Sequence, residues 1–187
     1  MRLTGRKSFI TGAAKGIGLS VARAFAAEGA AVALADISEE ESKKQSLEIK
    51  KSYGVDAIGV KCDVGDTISV QNAIKEASEA FNGLDTIACM AATLTERLDV
   101  VDLPEDEWNR TLNVNLTGSF LVCKHGIPFL REAGGGSIIL TASQMGQVAW
   151  PGSTAYCTTK GGILQLVKGI ALAVSYTHLT LPTMMSV

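Results

Sequence analysis

The stretch Thr11-Gly12-Ala13-Ala14-Lys15-Gly16-Ile17-Gly18 constrains this chain more than any other. An apolar run, Ser8-Phe9-Ile10, enters it, and residues 19–28 leave it with helical spacing. A strand that ends in a glycine turn and opens a helix aims free backbone N–H groups at one point, the positive end of the helix dipole. A dinucleotide pyrophosphate binds at such a point. In that reading Gly12 allows the tight turn, Gly16 lets backbone approach phosphate, and Gly18 lets the helix pack closely on the strand. The competing reading is an ordinary strand–loop–helix corner rich in glycine, and the downstream sequence decides between them.

Strand and helix patterns alternate through the rest of the chain. Residues 31–35 form an apolar run closed by Asp36, and residues 38–53 form a polar helix with Ser38 and Glu41 placed as a capping box. Residues 57–62, 85–90 and 137–141 read as three further strands, with a helix over 67–81 between the first two. Pro104 suits the first turn of one long helix running towards Leu130, although Gly118 and Gly126 weaken it. A last apolar-faced helix covers 153–173. Alternating β and α units with fully apolar strands predict a doubly wound parallel sheet with helices on both faces, in strand order 3-2-1-4-5.

With 187 residues, one domain is the natural reading. A formal charge of −2 leaves no basic footprint for nucleic acid. Cys62, Cys89, Cys123 and Cys157 lie far apart, which points to no zinc site and to reduced thiols in a cytoplasmic protein. No apolar run reaches eighteen residues, so no membrane partner is expected. Residues 174–183 back-translate in frame to the adapter of transposase-based sequencing libraries. The expectation is a domain over 1–173 that lacks its last strands and helices, followed by a non-native tail over 174–187. On that expectation the last helix would expose Ile163, Leu164, Leu166 and Val167.

Two clusters carry chemistry. Asp36 closes the second strand, where a carboxylate can accept hydrogen bonds from the adenosine ribose hydroxyls and repel a 2′-phosphate. Lys15 would favour that phosphate instead, but Asp36 stands nearer the hydroxyls, so NAD is expected over NADP. Tyr156 and Lys160, four apart on a helix, share one face, and Ser143 follows the fifth strand. Taken alone, the tyrosine–lysine pair reads sooner as two neighbours on a helix surface than as a catalyst.

In this order and spacing the residues resemble the short-chain dehydrogenase/reductase family, over about residues 3–173. The resemblance implies a catalytic set of Asn115, Ser143, Tyr156 and Lys160. Ser143 would bond the substrate oxygen, Tyr156 would exchange its proton, and Lys160 would grip the nicotinamide ribose. Asn115 would bend the long helix and hold a relay water. Gly12, Lys15, Gly16, Ile17, Gly18 and Asp36 would hold the cofactor together with Asp63, Val64, Ala91, Tyr156 and Lys160. A homo-oligomer through the long helices is implied as well.

The chemistry of such a set is coherent. Hydride transfer to a ketone creates alkoxide character that must be protonated at once. A phenol doing this near neutrality must prefer its ionised form by about 3–4 kcal/mol more than in water, which adjacent cations supply. One segment departs from the family: Cys89-Met90-Ala91-Ala92 stands where many members read Asn-Asn-Ala-Gly. Cys89 then reads as a small buried filler, while His125, Cys123 and Cys157 read as packing or surface residues. The leading functional reading, for the parent gene, is an NAD-dependent oxidoreductase of a secondary alcohol or ketone, with the truncated chain itself expected to be inactive. A 3-oxoacyl thioester reductase, a cyclic-diol or sugar dehydrogenase, and a nucleotide-binding fragment without turnover are its alternatives.

Overall fold

Five strands lie parallel in the order β3-β2-β1-β4-β5, as the alternating pattern predicts. They are β1 (Lys7–Thr11), β2 (Ala31–Asp36), β3 (Ala57–Lys61), β4 (Thr86–Cys89) and β5 (Ser137–Leu140). The computed structural model describes residues 1–174, so the tail from residue 175 onward lies outside it. Register runs Phe9 to Ala33 and Ile87, with Ile87 paired to Ile138. All five strands therefore end on one edge of the sheet.

Strand residues alternate between two cores because both faces are covered. Phe9, Ala33 and Val60 join Ile74, Leu121 and Ile163 on one face. Ile10, Val32 and Leu34 join Ala22, Ala26 and Ile49 on the other. Here α1 (Gly16–Ala27) and α2 (Glu39–Tyr53) cover the second core, while α3 (Thr67–Phe81) lies over the first. Among the described residues, no helix is long and apolar enough to cross a membrane.

The expected capping box does not form. Ser38 does occupy the N-cap of α2, but its side chain makes no cap bond. Its backbone N–H instead donates to Asp36 Oδ1 at 3.0 Å, and Glu41 Oε1 accepts from Gln45 Nε2 at 2.8 Å. Both capping partners are thus committed elsewhere.

The long helix expected from Pro104 to Leu130 is two helices, α4 (Glu105–Leu112) and α5 (Gly118–Glu132), joined by a π-turn over Asn113–Thr117. Such a turn carries one residue more than an α-helix has room for. Here it brings Asn115 inward, 1% exposed, and leaves its carbonyl accepting from Ser119 Oγ at 2.8 Å. The two glycines that lower helix propensity mark where α5 comes closest. A Cβ on Gly118 would stand 2.8 Å from Val64 Cγ2, and one on Gly126 would collide with the tip of Ile87.

The last helix, α6, runs from Thr154 to Val174. It hides more apolar surface than the sequence suggests. Ile163 is buried in the first core, and Leu166 and Val167 pack partly against it. Burying a side chain the size of isoleucine contributes about 1.5–3 kcal/mol.

Candidate active site

The glycine turn is held from behind before it holds anything in front. Buried Thr11, the last residue of β1, accepts at Oγ1 from the N–H groups of Met90 (3.1 Å) and Ala91 (3.2 Å). That hydroxyl draws the segment after β4 hard against the turn. A Cβ on Gly12 would stand 2.7 Å from Ala91 Cα, and Gly12 also has φ +64°. Gly16 has φ +60° and open space beyond it. On α1 a Cβ at Gly18 would collide with the Gly12 carbonyl oxygen. The first turn of α1 carries neither an acidic residue nor a side-chain cap, so its N–H groups face the opening free for an anion.

Asp36, at the carboxyl end of β2, is fixed by two backbone donors. Oδ2 accepts from Ala14 N–H in the glycine turn and Oδ1 from Ser38 N–H, each at 3.0 Å. Each oxygen keeps a lone pair for a ligand. Gly12, Lys15, Ile17, Gly18, Asp36, Asp63, Val64, Ala91 and Tyr156 line one cleft of about 510 Å³ at the carboxyl edge of the sheet. Ligands bind at that edge in open α/β sheets. A hollow of about 580 Å³ lies at the opposite edge, by Lys7, Asn82 and Asp85. There Lys7 Nζ donates to Asn82 O, and Lys7 N–H to Asp85 Oδ2.

The remaining candidates stand behind or beside the cleft wall. Lys160, 3% exposed, donates from Nζ to Thr141 O at 2.7 Å and lies 5.6 Å from the centre of the Tyr156 ring. Ser143 caps a short 3-10 turn (Gln144–Gly146), accepting at Oγ from Met145 N–H at 3.2 Å. That turn packs on α6 so tightly that a Cβ on Gly146 would stand 2.6 Å from Lys160 O. This contact sets the turn that Ser143 caps against the tyrosine helix. Asn115 Nδ2 reaches Thr159 Oγ1 at 3.3 Å, and Thr159 Oγ1 donates to Tyr156 O at 2.8 Å. The same amide clamps Thr93, accepting from its N–H at 2.7 Å and donating to its carbonyl at 3.0 Å.

Met90, Ala92, Thr93, Leu94, Ile37, Cys62 and Val114 also line the cleft, beyond the site residues that the resemblance implies. Ile37, Cys62 and Met90 directly follow strand ends, and that placement is the available signal. Burial, with Asp63 and Asp36 nearby, pushes the Cys62 thiol up to about 12, so it stays a neutral wall group. Cys89 is a buried filler, as its small size suggests; a hydrogen bond with Cys123 and burial raise its pKa well above the ordinary thiol value.

Burial lowers the Lys160 pKa below the ordinary lysine value. The folded chain therefore binds that proton less tightly than the unfolded chain does. The charge opposes folding at every pH below the lowered value, and the cost falls away as pH rises through it. Lys160→Met is accordingly expected to leave stability at pH 7 unchanged or raised by about 1 kcal/mol. A thermal melt checks this, and a midpoint several degrees lower would show that the bond to Thr141 outweighs the desolvation.

The sequence matches the short chain dehydrogenase family over residues 6–185. A 2,5-dichloro-2,5-cyclohexadiene-1,4-diol dehydrogenase of Sphingobium indicum is 39% identical over 171 residues, covering 91% of this chain and 68% of the relative. A D-threitol dehydrogenase of Mycolicibacterium smegmatis is 35% identical, covering 91% of this chain and 65% of the relative. A crystal structure of a 3-ketoacyl-ACP reductase from Sinorhizobium meliloti 1021 superposes with a TM-score of 0.89 at 33% identity, covering 93% of this chain and 69% of that one. The match takes in the glycine turn, the cleft and the tyrosine helix together, and on it the chain belongs to the short chain dehydrogenase family.

Proposed function

We propose that this protein is an oxidoreductase that transfers a hydride between a nicotinamide dinucleotide and a secondary alcohol or ketone, preferring NAD. The observation that carries the reading is Tyr156 on the wall of the same cleft as the glycine turn and Asp36, with the Lys160 ammonium 5.6 Å from its ring. The cleft fits the cofactor. Gly16 leaves open space where backbone must approach phosphate, and Asp36 offers a lone pair on each oxygen at the place of the adenosine ribose. When bound, the nicotinamide ring gives or takes the hydride.

The chain's own residues do the rest. Tyr156 Oη gives a proton to the substrate oxygen in reduction and takes it back in oxidation. Ser143 Oγ already accepts one hydrogen bond, so its own proton is left to donate to that oxygen. Lys160 has three donors and Thr141 O takes one, which leaves two for ribose hydroxyls beside the phenol. Its charge stands beside the phenol at the moment of proton exchange. Asn115 holds the wall and the tyrosine helix in register through Thr93 and Thr159.

The Sphingobium and Mycolicibacterium relatives are named for a cyclic diol and a polyol, which supports a small hydroxylated substrate. The Sinorhizobium structure supports a 3-oxoacyl thioester as the second reading. Self-association would use the face of α5 where Phe120 is 44% exposed.

The test is steady-state turnover of vicinal and cyclic diols against an oxoacyl thioester, with NAD and NADP in parallel. NAD is expected to give the higher kcat/KM, and Asp36→Ala to relax or reverse that preference by about tenfold or more. Equal efficiency with both cofactors in the unmutated protein would show that Lys15 outweighs Asp36.

A further inference from the structure

The geometry points to Arg110 as a positioning residue of the cofactor cleft, acting through the hydroxyl of Thr93. Residues 90–98 leave β4 with no regular structure, yet Met90, Ala91, Ala92, Thr93 and Leu94 form one wall of the cleft. Such a wall is only as well placed as its ties. At its start the Thr11 hydroxyl holds Met90 and Ala91, and at its end Leu98 N–H donates to Gly152 O at 3.1 Å. Thr93 is the middle tie. Its N–H and carbonyl are taken by Asn115, and its Oγ1 accepts from Arg110 Nη1 at 2.7 Å.

Arg110 is itself fixed before it reaches Thr93. Its Nε and Nη2 donate to the two oxygens of Glu107, at 3.1 and 2.8 Å, one turn earlier on α4. A guanidinium forked onto a carboxylate has little rotamer freedom left to lose, so its third nitrogen, Nη1, is aimed. Around a flexible segment, a charged and pre-oriented donor holds better than a neutral one. The Asn115 amide holds Thr93 by its backbone alone, whereas the bond to its side chain adds a second point of attachment that resists rotation. Rotation of Thr93 would carry its neighbours Ala92 and Leu94, which face the ligand, with it.

This inference rests on the cleft being a dinucleotide site, and the experiment separates the two claims. Arg110→Met, Thr93→Val, Thr93→Ser and the Arg110→Met/Thr93→Val double variant are made in the full chain. Two quantities are read: hydrogen exchange of the peptide spanning residues 90–98, and the Kd for NADH by fluorescence. Arg110→Met and Thr93→Val are each expected to speed exchange of the Thr93 amide and to raise the NADH Kd about three- to tenfold. The double variant should be no worse than either single, because both remove one bond. Thr93→Ser, which keeps the hydroxyl, should stay within about twofold of wild type. Protection of the β2 amides should hold in every variant, which marks the change as local.

Additive effects in the double variant, or unchanged exchange in Thr93→Val, overturn the inference. So does faster exchange with an unchanged Kd. Should Arg110→Met not fold, Thr93→Val and Thr93→Ser carry the test. Failure of the wild-type chain to bind NADH overturns the dinucleotide reading itself, whatever exchange shows.

Discussion

Tyr156→Phe is expected to lower kcat by about a thousandfold or more, the upper range for removal of a general acid–base, while the NADH Kd changes by less than about threefold. The substitution removes one oxygen atom from a cleft-wall side chain and leaves the ring in place. On the proposed reading, dinucleotide affinity comes from elsewhere: the N–H groups opening α1, the Asp36 carboxylate and the Lys160 ammonium. Chemistry and binding should therefore separate in this one variant. The melting midpoint should move by no more than a degree or two, since the phenol is on a cleft wall and not in a core. Single-turnover kinetics with pre-bound cofactor make the measurement. Turnover within a few-fold of wild type would remove Tyr156 from the proton-transfer role.

Gly18→Ala should have the largest effect on binding and a large one on stability. Its Cβ would collide with the Gly12 carbonyl oxygen and stand 2.8 Å from the Gly12 carbon. Both are backbone atoms, so no side chain can turn aside to make room. Either α1 lifts from β1 or the turn opens, at about 2–4 kcal/mol. In both cases the N–H groups of the turn lose their common aim, and NADH binding should fall below detection. Gly16→Ala is the informative contrast, because a Cβ there meets nothing within 4 Å and faces only the cost of its φ of +60°. That cost is about 1–2 kcal/mol. Urea titration of the two variants should rank them in this order. A Gly18→Ala protein as stable as wild type would mean that the strand–helix contact is looser than 2.8 Å implies.

Much of this was legible in the sequence because it is local. The strands announced themselves as apolar runs, and their order followed from alternation with helices. The glycine turn and Asp36 are eighteen residues apart, and Tyr156 and Lys160 four, so chain geometry alone brings each pair to one place. What escaped depends on contacts across the chain. The Thr11 hydroxyl meets Met90 and Ala91 at separations of 79 and 80 residues, and nothing in the pattern around Thr11 announces it. Arg110 meets Thr93 only because the chain reverses between them. The capping box failed for a related reason. Asp36 lies two residues before Ser38 and offered its N–H a carboxylate acceptor, and Glu41 found Gln45. A local motif lost to a better partner nearby.

The departure at Cys89-Met90-Ala91-Ala92 also becomes intelligible. Side-chain amides are absent there, yet the backbone remains tethered by Thr11, and Met90 Sδ accepts from Thr141 Oγ1 at 2.9 Å. Thr141 is the residue whose carbonyl holds Lys160. A thioether thus stands in the polar linkage between the ends of β4 and β5.

The π-turn at Asn113–Thr117 bears on how this sequence can change over time. Each residue advances a helix by about 100°, so one surplus residue rotates everything after it by that angle. Asn115 faces Thr93 and Thr159 on the near side of the surplus, while Leu121, Val122 and Leu130 face the core beyond it. Deleting one residue from the segment would restore an ordinary α-helix and put these two sets out of phase. Either the amide would leave Thr93 and Thr159 or α5 would turn its apolar side to solvent. Most exposed positions of α4 and α5 can therefore change one at a time, but the number of residues between Asn115 and Leu121 is locked, because no single step shortens it without a loss at one end.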